Sequence, residues 1–414
     1  MAVDAESLFM PDLSAAAFRD RVLHAIRLAR LTTSLLYWKA GERIDPRLWQ
    51  TANQGLELVV FGSRLPSAAP SSATIARRSF RLPVLRAETK RILWKWLSDA
   101  SVPDVVVQWK LTPADILRAA YSAAGGETEV LQSLEHGVEL TQSELFTPLA
   151  CPFTWDDLVV APHIREHLME FEQQVRLRSD VYEEWGFEKL FPMGRGITAL
   201  FSGPSGTGKT MAAQILARSL NMKLFRVDLA GVVNKYIGET EKRLRQVFDA
   251  SERSNVLLFF DEADALFGQR TQVKDAHDRF ANIEIDYLLQ RVEQFDGVSV
   301  LSTNRKSDLD KAFLRRIRFM VDFAPPGPAE RIALWRRGLV ESSPAGEALL
   351  DGIDFEALAH KLNMTGAEIT AAALNAAFLA RAQGTRISMA HVFHAARREM
   401  SKHGQIIRVG ELER

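Results

Sequence analysis

The sequence predicts an α/β fold in which a parallel sheet flanked by helices is followed by a small helical lid. Three observations predict it. Residues 203–210 are rich in glycine and join an apolar stretch at 197–201 to a helical pattern at 211–220. The unbroken apolar run 256–260 is typical of a strand buried on both faces of a parallel sheet. The Pro-rich segment 324–328 separates the sheet region from a series of amphipathic helices.

The glycine-rich stretch matches the phosphate-binding pattern G-x-x-x-x-G-K-[ST] without a mismatch, in the strand–loop–helix context that this pattern needs. Its glycines let successive backbone N–H groups point at one centre, and the N-terminus of the next helix adds positive potential. We expect Lys209 to reach the β- and γ-phosphates of a nucleotide and the Thr210 hydroxyl to hold Mg²⁺. The expected binding residues are Gly203, Pro204, Ser205, Gly206, Thr207, Gly208, Lys209, Thr210 and Met211.

Two carboxylates follow the apolar run 256–260. A carboxylate at the C-terminal end of such a strand lies beside the phosphate loop, where open α/β sheets bind ligands. Asp261 is placed to hold Mg²⁺ through water, and Glu262 to take a proton from the attacking water. A third strand pattern, 298–302, leads to Asn304. An amide there can orient water near the γ-phosphate, although Asn also commonly opens a turn.

Three arginines lie within four residues at 315–318. From the residues alone, they form either a solvated face or arginine fingers, which stabilise transition-state charge on the nucleotide of a neighbouring subunit.

The order of these motifs resembles that of the AAA ATPases of the valosin-containing-protein, spastin and katanin type, over about residues 152 to 400. Residues 155–158 look like the segment that opens their ATPase module. Residues 235–242 are similar to their first pore loop, and 314–316 to their paired arginine fingers. Residues 365–369 look like the Gly-Ala-acidic signature that starts a lid helix near the base.

The resemblance implies a P-loop AAA+ module that binds ATP with Mg²⁺ and hydrolyses it in a homo-oligomeric ring, expected to be a hexamer. Arg315 and Arg316 would act on a neighbour's nucleotide, while Tyr236 and Ile237 would face a central pore and grip a polypeptide. The expected activity is the remodelling, unfolding or disassembly of protein substrates. The residues that the resemblance places near the base are Asp157, Leu158, Gly366 and Ala367.

Two further runs, 260–268 and 277–284, look like those of a bacterial subgroup that is often encoded beside phage-tail-like contractile injection systems. Service of such a system is therefore an expectation. Two other functions stay open. One is a nucleotide-gated scaffold, in which ATP binding assembles a ring that holds partners and slow turnover resets it. The other is a DNA-dependent motor of the clamp-loader or helicase type.

The expected domains are an N-terminal domain (1–147), a large α/β ATPase subdomain (148–325), a helical lid (326–404) and a tail (405–414), with 147–152 as a linker. The N-terminal domain has no phosphate loop, yet its stretches follow the order of the back half of the ATPase module. The matching pairs are 58–64 with 299–305, 76–78 with 314–316, 87–94 with 328–335, and 110–116 with 364–369.

This order supports the hypothesis of a degenerate, truncated AAA-like domain that binds no nucleotide. The alternative is an unrelated, mostly helical adaptor domain whose amphipathic stretches match by chance.

Composition narrows the class of protein. Lys plus Arg and Asp plus Glu number 52 each in 414 residues, and this zero net charge does not favour a nucleic-acid partner. The single cysteine, Cys151, fits a reducing compartment. No secretory signal pattern and no apolar stretch near 18 residues is present, so we expect a cytoplasmic protein without a membrane partner.

One competing motif suggests different chemistry. His163 and His167 fit H-x-x-E-H, the zinc signature of inverted metalloproteases. No third ligand is evident in the sequence, so a solvated helix face is the preferred interpretation.

Overall fold

The computed structural model describes residues 2–4, 20–21, 23–25, 27–28, 31, 36–39, 59–61, 85–135, 146–190, 195–227, 248, 251, 255–263, 290–304, 314–315, 317–341 and 345–402. The chain divides into two compact units, 1–82 and 83–414. In the first unit, three short strands form a parallel sheet in the order β1-β2-β3. They are β1 (Ala2–Asp4), β2 (Leu36–Lys39) and β3 (Val59–Phe61).

The second unit begins with a helical bundle. Trp94, Val106 and Ile116 are fully or almost fully buried at its centre. The helical chain breaks at Gly125 and Gly126, and Gly126 has a φ of 90° that suits glycine. The helices are α1 (Ala87–Leu97), α2 (Asp104–Gln108), α3 (Pro113–Tyr121) and α4 (Glu127–Glu135).

A six-stranded sheet forms the centre of the second unit, in the order β4-β6-β7-β8-β5-β9. Neighbouring strands in this sheet run parallel to each other, except that β4 runs antiparallel to β6. The predicted parallel α/β sheet is therefore confirmed. The strands are β4 (Phe146–Leu149), β5 (Ile197–Ser202), β6 (Lys223–Val227), β7 (Val256–Phe260), β8 (Val298–Thr303) and β9 (Phe319–Asp322).

The segment 147–152, expected to be a linker, differs from that expectation. Residues 146–149 form the edge strand β4, because the Phe146 side chain is buried in the core beside Val227. Pro148 cannot donate a ladder hydrogen bond, and an edge strand is where a sheet tolerates that loss.

Both faces of the sheet are covered. Helices α5 (Pro162–Arg176) and α6 (Lys209–Ser219) pack on one face, where Phe201 and Phe259 point. On the other face, Phe260 stacks on Phe248, which also contacts the Phe295 ring. Alternate side chains of β7 thus point into the cores on opposite faces of the sheet, which explains its unbroken apolar sequence.

The lid follows the Pro-rich segment 324–328, as predicted. Its first helix continues into a π-helical turn, Arg337–Glu341, and a two-stranded parallel sheet pairs β10 (Leu350–Asp351) with β11 (Ile387–Ser388). The predicted lid helices are confirmed. They are α7 (Pro328–Arg336), α8 (Phe355–Lys361), α9 (Gly366–Ala382) and α10 (Met389–Ser401).

Within the part of the chain that the structure describes, every helix is too short or too polar to cross a lipid bilayer.

Candidate nucleotide-binding site

The loop between β5 and α6 is a backbone cradle that depends on glycine. Gly203 has a φ of 142°, and a β-carbon added there would lie 2.1 Å from the carbonyl oxygen of Phe323. Gly206 has a φ of 79°, and its amide unit meets the start of the lid, where the Ala367 N–H donates to the Gly206 oxygen (3.2 Å). The loop is therefore closed on one side by the strand end and on the other by the lid, and no larger residue fits either position.

Lys209 lies at the mouth of this cradle. Its side chain is buried, and its ammonium donates to the carbonyl oxygens of Gly203 (2.6 Å) and Pro204 (2.8 Å). The same ammonium donates to the amide oxygen of Asn304 (2.9 Å), the residue that follows β8. The structure therefore brings together two residues that the sequence placed in the same site from motifs about a hundred residues apart. Thr210, next to Lys209, is exposed in the first turn of α6.

The acidic end of β7 lies at the same edge of the sheet. Pairing of β7 with β8 aligns Phe260 with Leu301, and the Ala263 N–H donates to the Ser302 oxygen (2.7 Å). Asp261 is partly exposed, and its carboxylate accepts from the Glu262 N–H (3.1 Å). With the Thr210 hydroxyl, this edge offers the hard oxygen ligands that Mg²⁺ prefers.

Glu262 has an unusual backbone conformation. Its φ is 50°, in the left-handed region that few residues other than glycine adopt, and its side chain is exposed. Such a conformation costs of order 1–3 kcal/mol and persists where the surrounding structure enforces it. Here the hydrogen bond from the Ala263 N–H to the Ser302 oxygen in β8 fixes the backbone on the C-terminal side of Glu262.

A small cleft of about 40 Å³ lies between the large subdomain and the lid. Gly366 lines it, and Leu158 packs beside the loop at Gly208. That this cleft receives the base of a nucleotide stays a prediction. Thr207 also lines the cleft and was predicted from the phosphate-loop pattern. The other lining residues were not predicted, although the apolar run that follows residues 155–158 could have indicated some of them. The cleft is lined by Val159, Val160, Ala161, Thr207, Ala324, Pro325, Pro326, Gly327, Glu330, Leu334 and Gly366.

The Asp157 carboxylate is engaged within the protein. It accepts from the amide (2.5 Å) and the hydroxyl (2.8 Å) of Thr154, and these bonds lower the pKa of Asp157. Its other oxygen pairs with the guanidinium of Arg337 in the lid, which also donates to the Asp156 carbonyl (2.5 Å). Asp157 thus ties the lid to the large subdomain, and a direct contact with the base stays a prediction.

The remaining predicted functional residues are either exposed or outside the described residues. Arg315 is exposed. Arg316 and the pore-loop residues Tyr236 and Ile237 lie outside the described residues. His163 and His167 are exposed on α5, and the described ranges contain no cluster of three His, Cys, Asp or Glu side chains able to hold a metal.

The loop, the acidic strand end and the lid define a P-loop nucleotide-binding domain. Residues 199–325 match the family described as "ATPase family associated with various cellular activities (AAA)", and this part of the chain has the fold of an AAA domain.

Two curated relatives and one solved structure are similar to the chain. Proteasome-activating nucleotidase 2 of Haloferax volcanii is 31% identical over 60% of this chain and 60% of its own length. The cell division cycle protein 48 homolog of Archaeoglobus fulgidus is 27% identical over 67% of this chain and 37% of its own length. This chain thus spans less than two thirds of each curated relative. The crystal structure of the FIGL-1 AAA domain covers 67% of this chain and 92% of its own, with 20% identity and a TM-score of 0.48.

Proposed function

We propose that this protein is a Mg²⁺-dependent ATPase that works in the cytoplasm as a homo-oligomeric ring, a hexamer, and uses ATP hydrolysis to remodel protein substrates. The observation that carries the proposal is the meeting of Lys209, Asn304 and the acidic end of β7 at one edge of the sheet. The match of residues 199–325 to the AAA family supports it.

The proposed chemistry is mainly positioning and electrostatic stabilisation, as in other phosphoryl transfers. The loop amides and Lys209 hold the phosphates, and the ammonium exchanges backbone oxygens for phosphate oxygens when ATP binds. Thr210 and Asp261 would hold Mg²⁺, which would neutralise phosphate charge when bound. Glu262 accepts the proton of the attacking water, which Asn304 helps to orient.

Arg315 and Arg316 are proposed to complete the site of the neighbouring subunit, so that an isolated chain turns over very slowly. Tyr236 and Ile237 are proposed to face the central pore and pull a polypeptide. The runs 260–268 and 277–284 support a narrower assignment to the bacterial subgroup associated with contractile injection systems, and the neighbouring genes test that assignment directly.

The first experiment measures ATP turnover per chain against protein concentration, for the wild type and for Glu262→Gln. Turnover that rises with concentration and is lost in the variant supports ring assembly, catalysis by Glu262 and fingers acting between subunits. If turnover per chain does not change with protein concentration, the size of the assembly must be measured in the presence of ATP. A fully active monomer would refute a site that is shared between subunits. Nucleotide binding without turnover would favour the scaffold function.

A second experiment tests protein remodelling separately. The wild type, Tyr236→Ala and the matched control Tyr236→Phe are compared for ATP turnover and for unfolding of a fluorescent protein that carries an unstructured tail. Basal turnover should persist in all three, while Tyr236→Ala alone should lose unfolding. Unfolding by Tyr236→Ala at the wild-type rate would contradict the pore role.

A further inference from the structure

The helical bundle that precedes the ATPase sheet has the same packing order as the lid. In the bundle, α1 packs against α2 and α3, and α3 packs against α4. In the lid, α7 packs against α8 and α9, and α9 packs against α10. Four helices in the same order with the same neighbours indicate a common arrangement, although packing order alone does not fix the register of the side chains.

A buried cation in each bundle aligns the first helix of the N-terminal bundle with the first helix of the lid, residue by residue. Lys90 is the fourth residue of α1 and Arg331 is the fourth residue of α7, and both are buried. Each donates to oxygens at the C-terminal end of the next helix, where carbonyl groups lack helical partners. The acceptors are Val107 O (2.8 Å) and Trp109 O (2.7 Å) for Lys90, and Ala359 O (2.7 Å) for Arg331. Arg331 also donates to Pro326 O (2.7 Å) and to the side-chain oxygen of Asn363 (3.0 Å).

The tryptophans confirm this register. Trp94 and Trp335 each lie four residues after the buried cation, and both side chains are completely buried. In both bundles a buried cation donates to the end of the next helix and lies one turn before a buried tryptophan. This shared feature is stronger evidence for a common arrangement than an amphipathic pattern.

The start of the third helix repeats in detail. Thr112 caps α3 and its hydroxyl donates to Asp115 (2.6 Å), while Thr365 caps α9 and its hydroxyl donates to Glu368 (2.9 Å). Just before each cap, an N–H donates to the oxygen two residues earlier, from Leu111 to Trp109 and from Met364 to Leu362. The buried residues that then coincide are Ile116 with Ile369, Ala119 with Ala372, and Ala120 with Ala373.

The two bundles differ where the lid meets the nucleotide loop. Gly366, which lines the nucleotide cleft, corresponds to Pro113 in the bundle. The turn before α3 instead meets the opposite edge of the sheet, where the Lys110 ammonium donates to the Asp296 carbonyl (2.8 Å) and carboxylate (3.1 Å), just before β8 begins. The bundle is also tied to the π-helical turn at 180–184, where the Ala87 N–H donates to Glu183 (2.7 Å).

We propose that residues 87–135 are a second lid, derived from the same structural unit as residues 328–401, which binds no nucleotide and is fixed to the rear edge of the ATPase sheet. The chain then has two lids and one nucleotide site. The front lid closes on the phosphate loop, and the rear lid is held by charged contacts to the start of β8.

A register-matched graft tests the structural half of the proposal. Residues 112–120 are replaced by the sequence of residues 365–373, which introduces Pro113→Gly, Asp115→Glu, Leu117→Thr and Arg118→Ala and keeps every buried side chain. The control replaces the same residues by the sequence of 364–372, which has nearly the same composition but places a glutamate at the buried position of Ile116.

The matched graft should keep the unfolding temperature within about 3 °C of the wild type, because only exposed or capping positions change. The shifted graft should lower it by roughly 10 °C or more, because it buries an unpaired carboxylate. Equal loss in both grafts would overturn the common register.

Nucleotide stoichiometry tests the other half. Fluorescent ADP should bind no more than once per chain, and Lys209→Ala should abolish this binding. A second equivalent of ADP, or binding that survives in Lys209→Ala, would show that the rear lid has a nucleotide site and would overturn the proposal. The result does not depend on turnover, so a chain that binds ADP without hydrolysing ATP would refute the ATPase function and leave the second lid intact.

Discussion

Gly206→Ala probes the contact between the phosphate loop and the lid. A β-carbon at Gly206 would lie 2.9 Å from both the Thr365 hydroxyl oxygen and the Ala367 β-carbon, whereas ordinary contacts begin at 3.4 Å. The lid must therefore retreat by about 0.5 Å. That movement would lengthen the bond between the Ala367 N–H and the Gly206 oxygen, now 3.2 Å, beyond hydrogen-bonding range.

The expected cost has two parts. A side chain at the φ of 79° that Gly206 adopts costs roughly 1–2 kcal/mol of folding stability. Loss of the hydrogen bond to the lid costs about 1 kcal/mol more, and this second part falls on the closed, nucleotide-binding arrangement. We therefore expect the Kd for nucleotide to rise roughly fivefold.

Gly186→Ala is the matched control, because Gly186 has a φ of 77° and no atom lies within 4 Å of an added β-carbon. Both variants are compared by thermal unfolding and by titration with a fluorescent ADP. Gly206→Ala should lose about 1 kcal/mol more stability than Gly186→Ala, and only Gly206→Ala should lose affinity. Wild-type affinity in Gly206→Ala, or an equal loss of affinity in Gly186→Ala, would show that the contact between the loop and the lid does not support nucleotide binding.

Three further predictions concern Lys90, Arg337 and Asn304. Burial lowers the pKa of Lys90 from 10.5 to about 8, so the unfolded chain binds more protons between these values and stability rises with pH. Relative to Lys90→Met, the wild type should gain roughly 3 kcal/mol of unfolding free energy from pH 8 to 10.5. Urea unfolding at several pH values measures this gain. A difference in stability between the two proteins that does not change with pH would contradict it. Arg337→Met should weaken ADP binding by roughly threefold to tenfold by releasing the lid from Asp157, while Arg336→Met, whose guanidinium lies over a ring within the lid, should not. Asn304→Ala should slow single-turnover hydrolysis by roughly 10–100-fold with little change in ADP affinity, and an equal loss of both would indicate a binding role instead.

The parts of the fold that the sequence predicted are those in which one physical requirement dominates. Strand β7 must be apolar on both faces, and the phosphate loop needs glycine at its left-handed positions. Both requirements leave a pattern that can be read without knowing the rest of the structure. Asn304 was predicted as a site residue for the same reason, because its position follows from the end of a recognisable strand.

Other features depend on distant partners and could not be predicted from the sequence. Strand β4 is short and contains Pro148, so its sequence resembles a linker until β6 is available to pair with it. The cleft between the large subdomain and the lid is lined by Val159 and Val160, which are ordinary apolar residues until the lid lies opposite them. Lys90 sits in an amphipathic helix, where a lysine normally indicates a solvated face, and only the packed bundle reveals its backbone acceptors.

The left-handed backbone at Glu262 has a consequence for protein engineering. A glycine at this position would relieve the strain of the φ of 50° and stabilise the folded chain by about 1 kcal/mol. A selection for heat resistance alone would therefore favour the loss of the carboxylate. Variants recovered from such a selection should be sequenced at position 262 before any of them is used as a more robust form of the protein.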